Sequence, residues 1–463
     1  MPLILPANTL DSAYEIENSC MFVAGDSHYM HKTPSSQGSL RKLTLSVWVK
    51  KCQAPQETTW QWLLHTGDSS DGDPSFGIGF KSDALGIIDL DSSYNLKLYS
   101  TRLLRDPNAW YHICVAIDTD QSTEADRVKA WINNERITEW ATSDHPSQNL
   151  DLDGGINKTS YAMEVGRDNY GGGEAYFEGY MADYVYIDGT QYDPTYFGEY
   201  DSDSPQIWKP KKIAGLTFGT NGFYLDFADS SNLGNDKNGG TDLTEVNIAA
   251  ADQCDDSPTN NFATLNPLQA SLPTGAVHQG MFDGNLGSWT SSADNSADYR
   301  QWSSIAIPHT GKWYVETKWT RNSGTHTKAR MGILAFHDDV THGVVLDGDF
   351  DKIVNGSSSS YATGSVAYGE IFGSLYDLAN NQVTFYEAGS SLGTFSWSPN
   401  ADYTYFHCVF ADSMSLQYTV NFGNPSPDFV ISSGNADPNG YGEFEYGTNS
   451  GYALCTKNLN EFG

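Results

Sequence analysis

Residues 110–118 form a run with no polar face. Tyr111, Ile113, Val115 and Ile117 point one way, and Cys114 and Ala116 keep the other side apolar. Successive side chains of a strand alternate between faces, so this run predicts a strand covered on both sides. Further along, Val128, Ala130 and Ile132 alternate with Lys129 and Asn133, which predicts a strand with one buried face and a tight Asn133-Asn134 turn at its end. Residues 43–49 repeat the alternation with Leu43, Leu45, Val47 and Val49 on one side and Trp48 opposite. Residues 75–80 and 85–90 read as short strands broken by Gly and Asp, and 180–189 as a closing strand with nearly continuous apolar surface. Turn signals at strand-length intervals fit a jelly-roll or immunoglobulin-like sandwich.

The C-terminal part repeats the theme. Residues 312–319 read as a strand, and 369–395 as a double hairpin turning at Asn380-Asn381 and again at Ala388-Gly389. Residues 418–423 add a strand with Tyr418, Val420 and Phe422 inward. Between the two parts, 209–271 is turn-rich. Phe223, Leu225 and Phe227 can add one strand to either neighbour, Pro258 and Pro267 favour an extended, stiff path, and Phe262 and Leu265 call for burial. The expected fold is therefore all-β: two jelly-roll-type β-sandwich domains, 1–208 and 272–463, joined by a packed connector, 209–271. Long apolar periodicity of 3.6 residues is missing, which argues against a helical fold.

Composition narrows the partners. The chain has 58 acidic against 26 basic residues, a net charge of −32. Such a surface repels nucleic acid and anionic membranes, because phosphate binding rests on Lys and Arg. No Lys or Arg occurs between Lys352 and Lys457. The start has neither a basic n-region nor a long apolar core, so it does not read as a signal peptide, and no run approaches the roughly 20 apolar residues of a membrane span. Six cysteines without CxxC spacing read as reduced thiols.

Candidate chemistry is sparse. Retaining glycan hydrolysis needs two carboxyl groups about 5 Å apart. Glu15 and Glu17 alternate suitably but read as a solvated edge strand. Gly389 to Gly393 spells a nucleophile-elbow pattern around Ser391, yet it falls in a hairpin turn without a following helix. His337, Asp338 and His342 lack a third well-spaced metal ligand, which leaves a surface loop. Calcium is the better cofactor expectation, at Asp68, Asp71 and Asp73; Asp347, Asp349 and Asp351 begin like an EF-hand loop but place Lys352 at the Gly position and Ser358 where a bidentate Glu belongs. Tyr170 and Tyr176 flank Gly171 to Gly173 and are the candidate ligand-binding aromatics. Trp60 and Trp62 alternate around Gln61, a pattern that also fits strand core.

Two resemblances add to this reading. WYHICVAID, VKAWINNE and FEGYMADYVYIDGTQYDPTYFGE resemble the concanavalin A-like, laminin-G-like lectin fold, and more narrowly a group of tail-fibre and other virion proteins of tailed bacteriophages. Gly179, Ala182, Asp183, Asp188, Gly189, Asp193, Pro194, Phe197 and Gly198 carry the match, which covers roughly the first 265 residues together with the opening MPLILPAN and the 257–267 segment. Gly311 to Glu316, Asp377, Leu378, Thr384 to Tyr386 and Asn421 to Gly423 make the C-terminal part similar to the SPRY family. The resemblances imply a non-enzymatic virion protein: a tail fibre, appendage or capsid decoration, assembled in the host cytoplasm as a homo-oligomer. It would bind host-surface glycan or neighbouring virion proteins, with no nucleic acid partner and no membrane insertion. A laminin-G-like domain also implies a Ca²⁺ site at the sandwich rim. The rival expectations are a polysaccharide-degrading enzyme on a glucanase-like sandwich and a purely architectural cement protein.

Overall fold

A computed structural model describes residues 14–52, 59–68, 74–168, 175–269, 278–290, 298–321, 329–336, 341–412, 417–447 and 451–463. The described chain divides at Thr259/Asn260 into two compact units. Each is built on two antiparallel sheets, and among the described residues helix is confined to 3-10 turns and two short segments, α1 (Glu124–Arg127) and α2 (Thr456–Phe462). The protein is all β.

In the first unit, one sheet runs β10 (Glu135–Arg136), β9 (Val128–Ile132), β8 (Trp110–Asp118), β3 (Lys42–Lys51), β13 (Gly179–Asp188), β1 (Ser19–Phe22) and β18 (Gln253–Cys254), with β16 (Phe223–Leu225) also paired to β13. The second sheet runs β11 (Trp140–Asp144), β7 (Ser93–Leu103), β6 (Ala84–Asp91), β5 (Ser75–Lys81), β4 (Gln61–Gly67), β12 (Met163–Val165), β2 (Tyr29–Lys32) and β17 (Thr244–Val246). A small ribbon pairs β14 (Gly198–Tyr200) with β15 (Trp208–Pro210). The alternation of β8 is realised on both faces. Ile113, Val115 and Ile117 join the core between the sheets, whereas Cys114 and Ala116 pack on the other side with Trp131, Val185 and Phe197. Asn133 and Asn134 both take positive φ, 51° and 63°, as a type I′ hairpin requires.

The residues of 209–271, expected as a packed connector, are shared between the two units. Those from 209 to 259 supply β16, β17 and β18 to the first unit. Apolar alternation is one reason: Phe223 and Leu225 are buried against β13, where Phe223 stacks on Tyr184 at 5.8 Å. Charge is the other. Asp256 forms a fully buried ion pair with Lys50 at 2.7 Å, and its second oxygen accepts the Trp110 indole N–H at 3.0 Å. Residues from 260 onward belong to the second unit, where Phe262 and Leu265 are fully buried and bridge to Cys455 and Ser303.

In the second unit, one sheet runs β19 (His278–Phe282), β20 (Gly287–Thr290), β31 (Gln417–Asn421), β22 (Lys312–Arg321), β27 (Ile371–Asp377), β28 (Gln382–Glu387) and β29 (Ser390–Ser396). The other runs β21 (Asp298–Trp302), β30 (Tyr405–Asp412), β23 (Ala329–Ala335), β24 (Gly343–Asp347), β25 (Asp351–Val354) and β26 (Ser357–Ser360). Strands β27, β28 and β29 are the expected double hairpin, with Asn381, Ala388 and Gly389 at positive φ in its turns. Ser391 lies on β29, and its hydroxyl accepts the Gly393 N–H at 3.1 Å. Glu15 and Glu17 are exposed and belong to no strand; only Ile16 between them is buried. All six cysteines are buried thiols outside any disulfide.

Candidate functional site

The site that the geometry assembles is the outward face of the second sheet of the first unit. In β5, Phe76, Ile78 and Phe80 fill the core, as do Leu85 and Ile87 in β6 and Leu96 and Leu98 in β7. Period-two alternation then turns Gly77, Gly79 and Lys81, Gly86 and Ile88, and Lys97 and Tyr99 outward. Strand register sets these positions in rows. Lys81 lies opposite Ala84 and Ala84 opposite Leu103; Trp62, Gly79, Gly86 and Tyr99 form the next row; His65, Gly77, Ile88 and Lys97 form the third.

The glycines are what this face requires. A Cβ on Gly86 would stand 2.6 Å from the Trp60 ring, and one on Gly77 would run into Trp62. Without those side chains both indoles reach down to the backbone. Trp60 stacks on Trp62 with centroids 4.1 Å apart and planes 12° apart, and its ring lies 5.7 Å from Tyr99. Trp62 is buried under Ile88 and Ala175, while Trp60 stays half-buried. Beyond the pair, a cavity of about 490 Å³ opens along Lys81, Ala84, Tyr99, Thr101, Leu103 and Ala141. Leu103 is among the few exposed large hydrophobic residues, at 39%.

The polar groups around the rings are tied in place. Asp168 accepts the Trp62 indole N–H at 3.1 Å and the Ala175 N–H at 2.9 Å. Glu164 pairs with Arg167, whose guanidinium lies 3.5 Å over Tyr29. His65 packs against Trp62, and burial followed by the Arg167 charge pushes its pKa down to about 3, so it is neutral at ordinary pH. Lys81 lies over Trp60 at 5.5 Å and Lys97 over Tyr94 at 4.0 Å. A rigid aromatic surface with fixed polar edges suits recognition; two carboxylates on it, Glu164 and Asp168, are already engaged, while Asp144 on β11 is exposed.

The Ser46–His112 contact is structural. His112 Nδ1 accepts the Trp208 indole N–H at 3.0 Å, so Nε2 carries the proton and donates it to Ser46 Oγ at 2.8 Å. A general base needs the opposite polarity, and burial pushes this imidazole down to about 3.

The residues singled out from sequence fall in different places. Tyr176 borders the aromatic face: its ring is 6.5 Å from Tyr29 and its carbonyl accepts the Gln61 amide at 2.8 Å. Tyr170 and Gly171 to Gly173 lie outside the described residues, as do Asp71, Asp73, His337 and Asp338. Asp68 donates its N–H to the Pro74 carbonyl at 2.9 Å. Among the described residues no cluster of three metal-binding side chains occurs. His342 stacks on Tyr403 at 4.1 Å, and Asp347 pairs with Arg330 at 2.8 Å while accepting the Asp349 N–H, with Phe350 buried in the turn. The site residues missed from sequence are Lys81 and Tyr99, with Trp60 and Trp62 left open between sugar-stacking aromatics and strand core. The available signal was three glycines at outward positions of neighbouring strands, next to a Trp-x-Trp.

The second unit offers a different arrangement. Glu316 is fully buried and accepts the Tyr446 N–H at 2.9 Å, the Glu445 N–H at 3.0 Å, the Tyr314 hydroxyl at 3.2 Å and the Asn421 amide at 3.3 Å. Burial pushes its carboxyl up to about 7 against those bonds. It pins residues 445–446 to β22, beside a cavity of about 500 Å³ lined by Tyr314, Asn435, Asp437, Pro438, Phe444 and Tyr446.

No family model matches this sequence, and no curated protein does. Among solved structures, the chain is similar to the SPRY domain of human HERC1 (12% identity, 34% of this chain and 96% of that one, TM-score 0.27). It is also similar to the PSpry domain of TRIM65 (16%, 35% and 92%, TM-score 0.27). A Bacteroides ovatus protein with a proposed, unestablished carbohydrate-binding role matches over 50% of this chain and 58% of its own length, at 17% identity and TM-score 0.32.

Proposed function

We propose that the chain is a non-enzymatic binding protein of a tailed-phage particle, and that its first unit holds glycan on the outward face of the second sheet. One observation carries the binding reading: a stacked Trp60–Trp62 pair seated on Gly77, Gly79 and Gly86, next to an open, largely apolar cavity at Tyr99. Sugar rings offer flat C–H faces that pack on aromatic rings, and a rigid platform spends little entropy in receiving them. The particle-borne role is supported by the resemblance of residues 179–198 to phage virion proteins. On a particle, many copies of a weak site gain avidity without any new contact.

The test is glycan-array and whole-cell binding by the full chain, beside Trp60→Ala and with or without EDTA. Saturable binding that falls at least tenfold in Trp60→Ala is the expected result. EDTA sensitivity would add a calcium requirement, to be traced to the loop at Asp68. Folded protein that binds neither glycans nor cells would move the reading to an architectural decoration protein.

A further inference from the structure

We propose that the glycan held on this face is acidic, and that Lys81 is the residue that meets its charge; the inference rests on the glycan reading above. The chain as a whole repels anions, with a net charge of −32. In the first unit seven of the twelve lysines, Lys42, Lys50, Lys51, Lys129, Lys158, Lys209 and Lys237, each lie within ion-pair distance of an aspartate. Lys81 is not, among the described residues. The acid nearest to it in sequence, Asp83, is buried and engaged by Lys51 and Arg105. Lys81 instead lies half-buried over Trp60, at the edge of the cavity.

Lys97 is a second cation on the same face. Two rows separate it from Lys81, roughly 13 Å along the strands. It lies over Tyr94, and its register partner across β11 is the exposed Asp144, with no ion pair between them.

The placement of Lys81 discriminates between ligands. A neutral sugar stacking on Trp60 would displace the ammonium from the ring and return nothing to it. A uronic acid, sulfated or phosphorylated sugar can pack on the ring edge and pair with the ammonium at once. The apolar surroundings of Ala84, Leu103 and Ala141 strengthen that pairing by excluding water.

Two polymer pairs that share a backbone test this: polygalacturonate against its carboxyl-reduced form, and dextran sulfate against dextran, titrated against the full chain. In at least one pair the charged member should bind tenfold or more tightly, and raising salt from about 50 to 300 mM should weaken it severalfold. Lys81→Gln should lower affinity for the charged member at least fivefold. Lys212→Gln, which removes an exposed cation outside the aromatic face, should leave it unchanged. Equal binding of charged and neutral members, or equal effects of the two lysine variants, would overturn the inference and leave the glycan reading standing. No binding of any polymer, with whole-cell binding indifferent to Trp60→Ala, would overturn both.

Discussion

Trp60 of the first unit and three tryptophans of the second sit in opposite settings. In the second, Trp302, Trp313 and Trp319 are fully buried. In the first, Trp60 is half-buried on an outward face, held there by Trp62 beneath it and by glycines where neighbouring strands would otherwise place side chains. Aromatic content alone therefore says little about binding; a ring left open on a floor of glycine says more. Buried charge differs too. The first unit buries complete ion pairs, Lys50–Asp256 and Lys51–Asp83, beside Asp183 among tyrosine hydroxyls, whereas Glu316 of the second is surrounded by neutral donors.

That contrast can be broken most sharply at Asp256. Asp256→Ala leaves Lys50 charged and dry, which should cost about 3–5 kcal/mol. Urea unfolding should show the loss in the first unit's transition, and Lys50→Met added to Asp256→Leu should restore much of it.

Glu316 gives the next effect. Its carboxyl is raised in the folded state, from 4.5 to about 7, so the folded form binds a proton that the unfolded chain has released. The stability tied to that proton is fully present below pH 4.5 and is lost as pH climbs through 7, on the order of 3 kcal/mol. Asp183 in the first unit follows the same rule in a lower window: burial raises it from 3.8 to about 6 despite hydrogen bonds from Tyr224 and Tyr14. Between pH 6 and 7 the second unit should therefore weaken more than the first, and Glu316→Gln should flatten its response. Equal shifts of both transitions would sink this account.

Gly86→Val tests the floor of the face. Valine favours strands, yet here its side chain meets Trp60, so we expect a loss of about 1–3 kcal/mol by overpacking together with lost glycan binding. The smallest effect on stability belongs to Trp60→Ala. The half-exposed ring should cost no more than about 1 kcal/mol in thermal unfolding, although binding collapses.

Much of the fold was legible because apolar period two is a local signal. Leu43 to Val49, Ile113 to Ile117 and the hairpin through Asn380-Asn381 needed only their own residues to be read. The fate of 209–259 was not legible. Phe223 and Leu225 announce a strand without naming its partner, and the pairing of Asp256 with Lys50, 206 residues away, leaves no trace in local pattern. The site was harder still. Gly77, Gly79 and Gly86 read as breaks in weak strands, and they became a floor only when register set them beside Trp60 and Trp62.

By itself the sequence determined an all-β chain, the faces of its strands, its tight turns and a surface hostile to anions, since alternation, turn residues and charge act within a few positions or over the whole composition. Tertiary structure decided which outward positions became neighbours. It seated two indoles on three glycines, left Lys81 without a carboxylate among the described residues while Asp83 took other partners, and buried Glu316 among neutral donors. Register between strands far apart in sequence made those choices, and no local pattern encodes them.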